Sequence, residues 1–112
     1  MTYDYEMIVC VVNSGFSDAV MSAAREYGAK GGTVLNARGT ANQEAETFFG
    51  ISIQPEKEVV LILVPATIKD DILHAIYQKV GLATPGQGIA FTLPVENAVG
   101  LPSLSAEGEK NQ

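Results

Sequence analysis

The chain has 112 residues, 46% of them hydrophobic, which is enough for one domain around one core and leaves no length for a second. Seven Lys and Arg stand against thirteen Asp and Glu, a net charge of −6, and no basic run occurs. A nucleic-acid partner, which depends on cations that neutralise phosphates, is therefore not expected. The N-terminus MTYDYEMIVCVV has acids where a signal peptide needs bases, and no apolar run reaches the length of a membrane span, so a cytoplasmic protein without direct membrane insertion is expected.

In chain order, residues 5–12 are β-branched and apolar and read as a strand that ends at Asn13-Ser14-Gly15. The single cysteine, Cys10, lies in this run and can form no internal disulfide; it reads as a small core residue, with a reactive thiol as the alternative. A helix follows, with Ser17 as N-cap, Phe16 and Met21 placed as a hydrophobic staple, and Val20, Met21, Ala24 and Tyr27 at helical spacing before Gly28. After Gly31-Gly32, residues 33–37 form a second strand, and the polar stretch 39–47 is an exposed loop. A third strand begins at 48–53, is interrupted at 54–56 and resumes over 59–64. Thr67 with Asp70 forms a capping box for a second helix, with Ile72, Leu73, Ile76 and Val80 as its apolar stripe and Gly81 in the left-handed C-cap position. The stretch TPGQGIAF then leads into a fourth strand marked by Ile89, Phe91, Leu93 and Val95.

The order βαββαβ is the ferredoxin-like sandwich of the α+β class, an antiparallel four-stranded sheet with two helices on one face. Residues 7–12 and 59–64 are apolar at both parities, so both sheet faces are expected to be buried. Two helices cover only one face, and further copies of the chain in a closed symmetric oligomer would cover the other. The segment 103–112, SLSAEGEKNQ, reads as a flexible polar tail outside a domain of residues 1–102.

The succession YGAKGGTVLNARGT, a polar loop, EVVLILVPATIKDDILHAIYQKV and TPGQGIAFTLPVENAVGL resembles the PII family of signalling proteins up to about Leu101. The resemblance is to a PII-like branch rather than to the nitrogen regulators for which the family is named. It implies a homotrimer that binds a small-molecule effector, an adenine nucleotide, in clefts between subunits and is a regulator rather than an enzyme. It also implies that a long loop, here within 40–54 and including Asn42, Gln43, Glu44 and Glu46, contacts a partner protein that is an enzyme or a membrane transporter.

Carried onto this chain, the effector site comprises Thr33, Arg38, Gly39, Val64, Gly86, Gln87 and Gly88. Glycines let backbone N–H groups approach phosphate oxygens, so Gly86 and Gly88 could donate from one subunit and Gly39 from its neighbour. Thr33 offers a hydroxyl to a base or ribose, and Ile8 and Val64 could flank an adenine. Each residue has a plain structural alternative: a turn for the glycines, strand propensity for Thr33, a solvated cation for Arg38.

Several positions depart from the family pattern. Ile89 stands where the family has a lysine, and Gly100 and Pro102 lie near the positions of two arginines. Without those cations a triphosphate would lose several charge-assisted bonds of about 1.5–3 kcal/mol each. AMP or ADP is therefore expected over ATP, with Arg25, Lys30, Arg38 and Lys79 as cations that could compensate. The loop GTANQEAETFFG has no tyrosine for nucleotidylation, and its Glu44 and Glu46 read either as a hard-cation cluster or as solvated acids. Neither a metal nor another cofactor is expected. His74, one turn from Asp70 and Asp71, has no nucleophile beside it. Two further readings are a CutA-like metal-binding trimer, which one His and one Cys support poorly, and a small ferredoxin-fold enzyme.

Overall fold

A computed structural model describes residues 3–40, 46–48, 51–53 and 56–101, with only the backbone described for 46–48 and 51–53. The elements are β1 (Tyr5–Asn13), α1 (Ser17–Glu26), β2 (Thr33–Arg38), β3 (Glu46–Phe48), β4 (Ile51–Ile53), β5 (Glu56–Pro65), α2 (Lys69–Val80) and β6 (Ile89–Val95). Strands β2, β5, β1 and β6 form one antiparallel sheet in that order, and both helices pack on one face of it. This is the ferredoxin-like plan. The expected third strand divides differently: 46–48 and 51–53 pair with each other as a separate hairpin, and β5 is continuous from Glu56.

Alternation along the strands sends one set of side chains to each face. Ile8, Cys10 and Val12 of β1 and Val60, Ile62 and Val64 of β5 are fully buried beneath the helices, where they meet Val20, Ala24, Ile72, Ile76 and Val80. Each such aliphatic side chain contributes roughly 1.5–3 kcal/mol on burial. The opposite parity builds a second apolar face. Register places Met7, Val9 and Val11 beside Leu63, Leu61 and Val59 on one side and Leu93, Phe91 and Ile89 on the other. Leu63, Leu93, Phe91 and Ile89 are 43–49% exposed in the single chain. The doubly apolar strand pattern thus corresponds to a helix-covered face and an open one.

The helix ends differ from expectation in three places. The N-cap of α1 is Phe16, and Ser17 makes no side-chain cap bond. The carboxylate of Glu58 on β5 serves instead, its Oε1 accepting from the N–H groups of Gly15 and Ser17 at 3.1 Å each. Thr67 lies in a 3₁₀ turn, Ala66–Ile68, and α2 begins at Lys69 without a side-chain cap, so no capping box forms. Gly81 is extended (φ −64°, ψ −177°) rather than left-handed, and it is small because a Cβ would stand 2.5 Å from the carbonyl oxygen of Tyr77. Gly28, at φ +110°, does close α1 in the conformation that favours glycine.

Candidate functional site

The TPGQGIAF stretch folds as a turn closed on itself. The Thr84 hydroxyl donates to the Gly81 carbonyl at 2.7 Å and accepts from the Gly86 N–H at 3.2 Å. The Gln87 N–H donates to the Thr84 carbonyl at 3.0 Å and the Gly88 N–H to the Val80 carbonyl at 2.6 Å. All three amides that a phosphate cradle would use are therefore committed within the fold. Packing accounts for the glycines: a Cβ on Gly88 would lie 2.6 Å from the Val80 oxygen and 2.8 Å from Val12 Cγ1, and one on Gly86 would lie 3.0 Å from Val80 Cβ. Both residues are buried. Gln87, at φ +48°, is the exposed apex.

Beside this turn a cleft of about 540 Å³ opens at one end of the uncovered sheet face. Val11, Val59 and Ile89 form its apolar floor, the end of β2 and the two residues after it, Ala37 to Thr40, form one wall, and Leu82 and Gln87 form the other. Lys57 and Asn13 complete it. The floor follows from the register that aligns Val11 with both Val59 and Ile89. Among the described residues the lining carries two cations, Arg38 and Lys57, and no acid. Lys57 Nζ donates to Asn13 Oδ1 at 2.7 Å, and Asn13 Nδ2 donates to the Pro85 carbonyl at 2.9 Å. Gly39 lies over the stem of Lys57, where a Cβ would be 2.9 Å from Cε.

Of the residues expected from the sequence, Arg38, Gly39 and Gln87 share this cleft. Gly39 therefore reaches the same cleft as the glycine turn of its own chain. Gly86 and Gly88 lie behind the cleft wall with their amides engaged. Val64 is 0% exposed on the helix side of the sheet, as is Ile8, so neither lines the cleft. Thr33 is at the other end of β2, in a separate groove of about 330 Å³ with Met7, Gly31, Gly32, Leu61 and Leu63. Asn42, Gln43 and Glu44 lie outside the described residues, and of Glu46 only the backbone in β3 is described.

Sequence reasoning missed the apolar lining at Val11, Ala37, Val59 and Leu82, and with it the hydrogen-bonded pair Asn13 and Lys57. In the sequence Asn13 reads as the point where the first strand ends, and Lys57 falls between the interruption at 54–56 and the strand resuming at 59. The one signal is parity, since Lys57 shares the face of Val59, Leu61 and Leu63. Elsewhere, burial pushes the Cys10 thiol up to about 11 from 9.0, and His74 is exposed on α2. Among the described residues no three His, Cys, Asp or Glu side chains are grouped to hold a metal ion, and no helix is long and apolar enough to cross a membrane.

The family model for the nitrogen regulatory protein P-II matches residues 5–102. The chain belongs to the P-II family. Its fold is that of solved P-II proteins. A Bacillus subtilis GlnK structure superposes with a TM-score of 0.65 at 17% identity over 86% of this chain and 89% of its own. A GlnK–ATP complex from the same organism gives 0.66 at 16% identity over 86% and 87%. An Arabidopsis thaliana PII bound to citrate gives 0.63 at 24% identity over 83% and 78%. No match was found among curated protein sequences. P-II membership makes this chain a signalling protein of a regulatory family.

Proposed function

We propose that this P-II protein assembles as a homotrimer, binds an adenine nucleotide between subunits, and reports its occupancy to a partner enzyme or membrane transporter through the 40–54 segment. The observation that carries the reading is the position of the cleft. It opens at the edge of an apolar face that the single chain leaves uncovered, and it joins the root of the 40–54 segment at Arg38, Gly39 and Thr40 to the turn at Gln87. A ligand there touches both the subunit contact and the first residues of the signalling loop.

The Thr33 groove and the Arg38 cleft lie at opposite ends of β2, which at about 3.3 Å per residue separates them by more than the length of one nucleoside. A head-to-tail ring brings one subunit's groove to its neighbour's cleft, and Thr33 then contacts the base or ribose of a ligand held at Arg38. The relatives crystallised with ATP and with citrate carry anions, which suits the two cations here. AMP or ADP fits this cleft better than ATP. With Ile89 in the floor and the amides of residues 86–88 committed, a triphosphate would leave several negative oxygens without a donor, at about 1.5–3 kcal/mol each.

The test couples assembly to binding. Val9 is at the centre of the open face, paired with both Leu61 and Phe91. Val9→Glu should yield a folded monomer by light scattering that no longer binds AMP or ADP. A wild-type monomer, or a monomeric variant with unchanged affinity, would overturn the inter-subunit site.

A further inference from the structure

We propose that Asn13 is the positioning residue of this cleft, presenting Lys57 as an un-neutralised cation to a single monophosphate group. The inference deepens the effector reading and rests on it. Asn13 ends β1 directly opposite Lys57 on β5, on the open face of the sheet. Its Oδ1 accepts from Lys57 Nζ at 2.7 Å, its Nδ2 donates to the Pro85 carbonyl at 2.9 Å and reaches Gln87 Oε1 at 3.5 Å, and its backbone N–H donates to the Gly86 carbonyl at 2.9 Å. One half-buried side chain thus ties the strand that carries the cation to the turn that forms the facing wall.

The neutrality of Asn13 is what matters chemically. An ammonium has three protons, and Lys57 places one of them on an uncharged oxygen, which leaves its charge intact. Two carboxylates flank it in sequence, Glu56 and Glu58, and neither is ion-paired with it; Glu58 Oε1 holds the N–H groups of Gly15 and Ser17 on the helix side. Among the described residues, the ion pairs are those of Lys69 with Glu6 and Asp70. The closed turn contributes no amide, so the cleft offers an incoming anion the Lys57 ammonium, with Arg38 at the wall. That set matches one monophosphate group. Aspartate at position 13 would keep the bond to Lys57 but cancel its charge, and would set its other oxygen against the Pro85 carbonyl.

The experiment uses the full-length protein, its Asn13→Asp and Lys57→Gln variants, and Lys69→Gln, at the start of α2 and outside the cleft lining, as a control. Calorimetric titration with AMP and with adenosine should show wild type and Lys69→Gln preferring AMP by at least about tenfold, the worth of one charge-assisted hydrogen bond. Asn13→Asp and Lys57→Gln should lose that preference while retaining adenosine. A preference that survives both substitutions, or that the control loses equally, overturns the proposal. Lys57→Gln keeps the test decisive if Asn13→Asp fails to fold. Should wild type bind no nucleoside, the nucleotide reading falls separately, and inorganic phosphate becomes the probe. Phosphate-dependent shifts of the amide resonances of residues 86–88 in wild type but not in Lys57→Gln would support the anion site, whereas no shift, or equal shifts in both, would refute it.

Discussion

The side chain of Glu58 accepts the N–H of Ser17 at 3.1 Å, so a residue of β5 caps a helix that begins 41 positions earlier in the chain. The same oxygen also accepts from Gly15, placing a negative charge at the positive end of α1. It ties the β1–α1 turn to the strand that emerges from the 40–54 segment.

Glu58→Ala should therefore destabilise the protein by about 1–2 kcal/mol, the range for loss of an N-cap acceptor. Ser17→Ala should cost under about 0.5 kcal/mol, because the Ser17 side chain makes no cap bond. Urea denaturation of the two variants checks the contrast. Equal losses would mean that the serine hydroxyl is the working cap.

Gly88→Ala should lower stability by about 2 kcal/mol or more, since the new methyl would stand 2.6 Å from a backbone oxygen and 2.8 Å from a core methyl. Gly88→Asp should be worse. From the sequence alone this position reads as an anion contact, whose loss would spare assembly and remove binding. The packing instead predicts a lower melting temperature that accompanies any loss of binding. Thermal denaturation of the two variants decides it, and an unchanged melting temperature would count against the packing role.

Cys10 should be inert to thiol reagents at pH 8 until the protein unfolds. Burial without a charged partner raises its pKa from 9.0 to about 11. Below pH 9 the thiol is protonated in both states and has no effect on pH dependence. Between pH 9 and 11 the unfolded chain ionises while the folded chain does not, so stability falls as pH rises, by roughly 2–3 kcal/mol across the window. Comparing urea midpoints of wild type and Cys10→Ala from pH 8 to 11 isolates this term. Parallel curves would show that the thiol does not titrate as described.

The fold was legible because its signals are local. Helical stripes, strand parity and the doubly apolar runs 7–12 and 59–64 predict the sheet, its two helices and its second apolar face. The site was legible in part. Arg38, Gly39 and Gln87 do meet, but Val64 was placed in the site without the register that sends the even-numbered residues of β5 under the helices. The pairs that build the site are distant in sequence: Lys57 and Asn13 are 44 positions apart. Whether two glycines cradle an anion or admit a neighbouring carbonyl depends on where Val80 points its oxygen, which no local pattern encodes.

The central claim is an effector site between subunits, and its most direct measurement is the stoichiometry and order of nucleotide binding to protein whose mass is fixed by light scattering. The account predicts a trimer that binds AMP or ADP saturably at about one per chain, and ATP more weakly by at least about tenfold. A monomer, or a trimer that binds ATP as tightly as AMP and ADP, would contradict it.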